Sequence, residues 1–393
     1  MKRIIITFLL ASAVVGQVSA QTTADVLRSV EANNKELQTE MHRVASEKIG
    51  AKADNNLPDP SVTFSHQYGN HPSTGTQNEL IASQSFEFPS VYSRRSELAR
   101  QKSTAFDRQT DLLRQTVLLK AKELCIDLTM LNKQKQLLDI RRENAEKLST
   151  LYDKRLKTGD ANIIETNKLS LELLNVKTEA RMIEATRQAK LQELATLNGG
   201  TAIDFTAANY DPIQSDELTN FEQLKEQALG ADKELLTLAS QKDVAQQQIK
   251  VNKAKSLPGF QMGYRMNSQP GVYYNGFLVG VTIPLFANKN RVKQAQEQSR
   301  FADMQLESRS TAVSGELKQL YDRTVALRGS LGEYDKVMKN QDLTLLTKAI
   351  EAGQISMIEY FVNVSTYYQS MQNYLQLQDE YQKAMAELYK FKL

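Results

Sequence analysis

Apolar residues recur at heptad spacing over much of the chain. Leu124, Leu131, Leu138, Ala145 and Tyr152 are seven apart, and Leu169, Leu173, Val176, Ala180 and Ile183 alternate four and three. Val364, Tyr367, Met371, Tyr374, Gln378, Tyr381, Met385 and Leu388 do the same, with Gln378 the one polar member. This spacing keeps one stripe against a partner helix and drives supercoiling. Neither Gly nor Pro occurs from Ser90 to Thr158, nor from Asp160 to Asn198. At 1.5 Å per residue the first of these stretches is a helix roughly 100 Å long, which suits a coiled coil and not a compact domain. No Pro falls between Leu285 and Leu393, although Gly315, Gly329 and Gly332 interrupt that run. Gly159 and Gly353 each separate two such helices, which predicts two antiparallel helical hairpins with tips near 157–162 and 352–357.

Four segments alternate instead with period two, the signature of strands. Val62, Phe64, His66 and Tyr68 oppose Ser61, Thr63, Ser65 and Gln67. Leu80, Ala82, Phe86 and Phe88 oppose Ile81, Ser83, Ser85 and Glu87, with Gln84 breaking the apolar face. Phe260, Met262, Tyr264 and Met266 oppose Gln261, Gly263, Arg265 and Asn267, and Phe277, Val279, Val281 and Ile283 oppose Gly276, Leu278, Gly280 and Thr282. One apolar face and one polar or small face fits a barrel strand between lipid and a wet lumen; two hairpins on a soluble core would show the same period. Four strands close no barrel, and lipid tolerates no open sheet edge, so a membrane role requires several protomers. Three copies would supply twelve strands, an even number inside the known range. The polar segments at 70–78 and 267–275 are the expected loops.

The chain is written twice. Lys35-Glu36-Leu37 recurs as Lys233-Glu234-Leu235 and Pro60 as Pro258, both at an offset of 198; Phe88-Pro89 recurs as Ile283-Pro284 and Thr158-Gly159 as Ala352-Gly353. Each half reads as a helix (Thr23 to Asn55, Asn220 to Ala254), a Pro-marked break, two strands and a long helical pair. The expected organisation is a signal peptide at 1–20, a first repeat at 21–199, a linker at 200–223 and a second repeat at 224–393.

The remaining composition sets compartment and excludes chemistry. Lys2 and Arg3, the apolar run from Ile4 to about Gly16, and Val18-Ser19-Ala20 read as a signal peptide cleaved before Gln21. No later segment approaches the roughly 20 apolar residues of a spanning helix. With 49 basic and 46 acidic residues, the net charge of +3 carries no nucleic-acid signature. Cys125, alone and far from the cleavage site, forms no internal disulfide and carries no N-terminal lipid; it reads as a packed thiol. His42, His66 and His71 make no metal-ligand motif, and no Gly-rich phosphate loop appears, so neither an enzyme nor a metal or cofactor site is expected.

The order of elements resembles the TolC-type outer-membrane factor (outer membrane efflux protein) family. The resemblance rests on the duplicated plan, on Leu57-Pro58-Asp59-Pro60, and on Ser83-Gln84-Ser85-Phe86-Glu87-Phe88-Pro89. It also rests on two tip motifs: Thr158-Gly159-Asp160-Ala161-Asn162-Ile163-Ile164-Glu165 and Ala352-Gly353-Gln354-Ile355-Ser356-Met357-Ile358-Glu359. It implies a mainly α protein whose antiparallel coiled-coil helices form an α-barrel in a homotrimer. Four strands per protomer would contribute to a twelve-stranded transmembrane β-barrel in the outer membrane, with an equatorial girdle including 200–223. It also implies a passive exit duct for substrates delivered by an inner-membrane pump through a periplasmic adaptor (membrane fusion) protein. The short chain and the Gln84–Pro89 segment look most like the heavy-metal branch paired with resistance-nodulation-division pumps. The rival is a periplasmic coiled-coil scaffold or adaptor without its own channel.

The resemblance assigns adaptor docking to the tips, at Gly159, Asp160, Gly353 and Gln354. It places Glu165 and Glu359, six positions after each tip glycine, at the periplasmic entrance, where carboxylates favour cations; the alternative is ordinary helix-surface charge. Like charges crowded there would raise one another's pKa. Where the family locks its closed tip with polar bonds, this chain has Val362, Ile355 and Ile350, so that lock is not expected.

Overall fold

A computed structural model describes residues 22–71, 74–211, 218, 220–286, 288–338 and 343–393. The proposed signal peptide and part of the linker lie outside these residues. The order is α1 (Thr23–Asn33), α2 (Lys35–Ala53), β1 (Ser61–Tyr68), β2 (Thr76–Phe86), α3 (Pro89–Thr158), α4 (Ile163–Leu197), α5 (Phe221–Ala231), α6 (Lys233–Ala254), β3 (Gly259–Gln269), β4 (Val272–Thr282), α7 (Arg291–Met338), α8 (Leu343–Glu351) and α9 (Met357–Leu388), with a 3₁₀ turn at Lys390–Lys392. The two halves thus repeat one plan of helices, strand pair and long helices.

The expected single opening helix of each half is in fact two. Asn34 and Asp232 hold extended backbone (φ −60°, ψ 122° and φ −62°, ψ 118°), and their side chains accept the N–H of Leu37 and Leu235. A short polar side chain at an N-cap satisfies a helix-start amide that has no partner within the helix, so each chain segment stops and restarts there. Conversely, α7 runs through Gly315, Gly329 and Gly332, because packing outweighs the roughly 1 kcal/mol propensity cost of each glycine.

The chain divides into two compact units that each draw on both halves. The first takes Met1–Ala32, Ala121–Pro212 and Leu331–Gln382. Its core contains the predicted stripe: Leu124, Leu131, Leu138, Ala145 and Tyr152 are all buried, as are Leu169 and Val176 of α4. Leu148, Tyr152, Leu169, Ile350, Met357, Tyr360, Val364 and Tyr368 form one cluster, which joins the two helical hairpins. Arg141 on α3 reaches Glu172 at 2.8 Å and Glu179 at 3.3 Å on α4, and lies 4.8 Å over the Tyr368 ring of α9. Cys125 is buried, and burial pushes its thiol up to about 12, so it packs as an inert apolar group.

The second unit takes Asn33–Lys120, Ile213–Ser330 and Lys383–Leu393, and it holds the sheet. Within it α6 packs between two long helices. Thr237 and Gln247 donate to the carbonyls of Arg108 and Arg94 on α3, at 3.1 and 3.0 Å. Lys242 and Glu234 pair with Asp303 and Arg309 on α7, each at 2.8 Å. The four strands form one antiparallel sheet in the order β1-β2-β3-β4. Strands extend into the expected loops: β2 begins at Thr76, and β3 turns into β4 through Pro270-Gly271, with Gly271 at φ +80° as a type II turn requires. At the other end Phe88 and Ile283 fall outside the strands, because Pro89 opens α3 as its first residue and Pro284 cannot donate to a ladder.

Replacing either cap, Asn34→Ala or Asp232→Ala, should lower stability by about 1 kcal/mol, and the pair should act additively. Denaturant unfolding of the purified chain measures both.

Candidate functional site: the exposed sheet and the hairpin tips

Pairing in the sheet places every predicted apolar alternation on one side. Val62 faces Ala82, which faces Tyr264, which faces Phe277; Phe64 faces Leu80 and then Met266. Farther along, Gln84 faces Met262 and then Val279, and Phe86 faces Phe260 and then Val281. That face is open: Phe277 is 91%, Val279 73% and Phe64 65% exposed. Two of its polar members are bonded locally. His66 bonds Asn78 across the β1–β2 pair, and Gln84 donates to the Pro58 carbonyl at 2.6 Å.

The opposite face is polar and knit together. Ser61 and Ser83 lie 3.0 Å apart, Gln261 donates to the Ser83 hydroxyl at 3.0 Å, Gln269 reaches Gln77 at 3.2 Å, and Arg265 pairs with Glu79. Gly263 is required here, since a Cβ would come within 2.6 Å of the Ala82 carbonyl oxygen and 2.8 Å of the Ser83 Cβ. The sheet therefore carries one large apolar surface, one hydrogen-bonded surface, and two edges, on β1 and β4, with no partner strand within the sheet. No helix among the described residues is long and apolar enough to cross a membrane.

Both hairpin tips are built alike. At the first, Gly159 (φ +85°) donates to the Leu156 carbonyl at 3.3 Å and Asp160 to that of Arg155 at 2.8 Å. At the second, Gly353 (φ +71°) donates to Ile350 at 3.1 Å and Gln354 to Ala349 at 2.9 Å. These are Schellman stops, whose left-handed residue favours glycine. The helices restart on a capping box. Asn162 accepts the Glu165 N–H at 3.0 Å while its own N–H donates to the Glu165 carboxylate at 2.9 Å. Ser356 and Glu359 repeat this at 3.2 and 2.8 Å. The pattern, Asn or Ser three residues before Glu, was readable in the sequence as a helix start. It gives both glutamates a local task that the sequence reading had not assigned.

Glu359 is exposed, and the hydrogen bonds from the Ser356 backbone and hydroxyl hold its carboxyl below the usual 4.5. Within one protomer it is therefore fully charged at neutral pH. Ile350 is buried and Ile355 partly buried in the apolar cluster, whereas Val362 is exposed, as are Ile358, Ile163 and Ile164. The tip is consequently held from inside by apolar packing and by Arg155 donating to the Glu351 carbonyl at 2.8 Å. Among the described residues, no cluster of His, Cys, Asp and Glu is arranged to hold a metal ion.

Known proteins share this architecture. Residues 224–391 match the outer membrane efflux protein family. No curated protein matches the chain. The outer-membrane channel OprN is similar, with a TM-score of 0.77 at 11% identity, over 94% of this chain and 89% of that one. The Campylobacter jejuni CmeC outer membrane channel follows at 0.70 and 14%, over 94% and 85%, and CusC, described in terms of transmembrane channel formation, at 0.75 and 15%, over 94% and 91%. At such identities the likeness is one of fold, common to all three, and it singles out no branch. The chain shares its fold with these outer-membrane channels, and the family match lies in its second half.

Glu359 contributes to its cap while ionised. Its folded pKa is depressed, so the contribution is complete above pH 4.5 and is lost as pH falls through the lower folded value. Hydrogen exchange at the Ser356 amide should speed up on acidification relative to Glu359→Gln, which keeps the box without titrating. Equal pH profiles for the two would remove that role.

Proposed function

We propose that this chain is the outer-membrane channel subunit of a tripartite efflux system, a passive duct for substrates that an inner-membrane pump delivers through a periplasmic adaptor. One observation carries the reading: a sheet whose exposed face is apolar, whose other face is hydrogen-bonded and polar, and whose two edges lack a partner strand. In water that apolar face would be a large exposed patch. In a bilayer it is the lipid face of a barrel, and the polar face lines the lumen. Edges in lipid must be paired, so β1 of one protomer joins β4 of the next, and three protomers close twelve strands. The similarity in fold to OprN, CmeC and CusC supports the same reading over a scaffold or adaptor without a channel. It also fits a chain that is not an enzyme.

The paired helices form the periplasmic tunnel of this homotrimer. Their tips, at Gly159, Asp160, Gly353 and Gln354, are the adaptor-docking ends. Each offers a rigid Schellman turn followed by exposed Ile163 and Ile164, or Ile358 and Val362. Glu165 and Glu359 of three protomers form the entrance ring, whose charge favours cations.

The sheet reading predicts a strong asymmetry between faces. Arg at Phe64, Tyr264 or Val281 should impair barrel assembly by roughly 2–4 kcal/mol near the bilayer midplane, while Arg at Thr63 or Ser85 should be tolerated. Heat-resistant trimers in isolated outer membranes are the readout, and equal losses on both faces would reject the lipid-face assignment.

The ring is tested by Glu165→Gln with Glu359→Gln. Glutamine also satisfies a capping box, so the tips keep their fold and only charge is removed. Single channels should be cation-selective and partly blocked by divalent ions before the change, and lose both properties after it. Unchanged selectivity would leave the glutamates as caps alone.

A further inference from the structure

Three strand ends and one helix start surround a cavity that the channel reading does not use. β2 ends at Phe86, β3 begins at Gly259, β4 ends at Thr282 and α3 begins at Pro89. Between them lies a space of about 240 Å³. Phe88, Val91 and Leu257 supply apolar wall. Phe86 and Phe260, which face each other in the β2–β3 pair, line the cavity and also belong to the exposed apolar face of the sheet. The cavity is therefore continuous with that face.

Ser85, Glu87 and Thr282 add polar groups to the wall, and one cation stands among them. Lys255, the C-cap residue just after α6, lines the cavity and is half-buried. Its carbonyl is taken by the Asn288 side chain, but no described side chain forms an ion pair with its ammonium. Two acids act on it from nearby: Glu87, which also lines the cavity but pairs with Arg95, and Asp54, which lies 3.8 Å from Lys102. Burial, with Arg95 and Arg291 nearby, lowers the Lys255 pKa from its usual 10.5. A charge held at this cost calls for an anion, and the walls around it call for hydrocarbon.

We propose that this cavity binds the headgroup of an anionic phospholipid, with the phosphate against Lys255 and an acyl chain passing over Phe86 and Phe260 onto the apolar face of the sheet. Charge complementarity selects the phosphate, and continuity with the lipid face selects a lipid over a free ion. The cavity has the scale of a headgroup, far too small for a helix or strand of a partner protein. This site rests on the proposed reading that the sheet crosses the outer membrane, and it lies at the sheet end where the helices join, hence at the periplasmic leaflet. The lipid would seal the junction between barrel and helices.

The test uses the full mature chain, reconstituted into vesicles of phosphatidylethanolamine and phosphatidylglycerol in equal parts, extracted in mild detergent and weighed by native mass spectrometry. Wild type should retain phosphatidylglycerol in preference to phosphatidylethanolamine. Lys255→Gln should retain roughly tenfold less, the scale of one charge-assisted hydrogen bond, and Lys255→Arg should retain it. Millimolar inorganic phosphate should leave the retained lipid in place. Equal retention of both lipids, unchanged retention in Lys255→Gln, or complete displacement by phosphate would each overturn the site. Trimers that insert normally yet hold no phosphatidylglycerol would defeat this inference alone. A chain that never enters the vesicles would defeat the channel reading along with it.

Discussion

The register of the four strands is the constraint on which the rest depends. Side chains alternate along a strand, so a slip of one residue in any pair would carry its apolar set to the opposite face. Here Val62, Ala82, Tyr264 and Phe277 lie in one row across all four strands. On the other side the serine, glutamine and Arg265–Glu79 contacts hold the same register from the polar face. Gly263 allows β3 to approach the β2 backbone where any side chain would collide with Ala82 and Ser83. The outcome is a sheet that a single chain leaves unfinished. Among the described residues its apolar face has no cover, and its two edges lack partner strands. In the channel we propose, lipid on one surface and neighbouring copies on both edges would answer these demands together.

The helical unit solves a different problem, that of turning a long coiled coil back on itself at a defined residue. Each tip combines a left-handed glycine that stops one helix with a capping box that starts the next. Few residues are spent, and several of the amides and carbonyls left over at the helix ends gain a partner. Just inside the tips the two hairpins share one apolar cluster, with aromatic residues of α9 against Leu148 and Leu169. Arg141 adds the polar counterpart, joining α3 to α4 by two carboxylates and to α9 through the Tyr368 ring. Duplication supplied two copies of the tip, and their backbone geometry is the same even where the residues differ, with Asn162 in one and Ser356 in the other.

Much of this was legible along the chain. Heptad spacing on α3 picked out residues that are indeed buried, whereas on α9 Tyr367, Met371, Tyr374 and Tyr381 are only half-buried; period two picked out strands whose faces agree with the pairing. Gly159 and Gly353 marked the tips because only glycine enters the left-handed region without strain. What escaped was local or long-range. The breaks at Asn34 and Asp232 were overlooked because the surrounding apolar spacing continues through them, although each is an N-cap residue followed by Lys-Glu-Leu. The strand ends were misplaced because a polar residue near a turn can be paired in a ladder or free in a loop, and composition does not separate the two. Lys255 carried no signal, since a lysine near a helix end is ordinary until the walls around it are known.

By itself the sequence determined the periodicities: which residues share a helix stripe, which share a strand face, where the chain must turn, and that the plan is repeated. Those follow from bonds between near neighbours and from the fixed geometry of helix and strand. Only the tertiary structure decided that all four strands join in one sheet with their apolar faces on a single side, since periodicity is blind to pairing. It alone placed Ile350 in a core while leaving Val362 exposed, and set Lys255 against the wall of a cavity. Each of these depends on atoms from segments remote in the chain or on the exact path of the backbone, and solvation and charge are properties of that assembled environment.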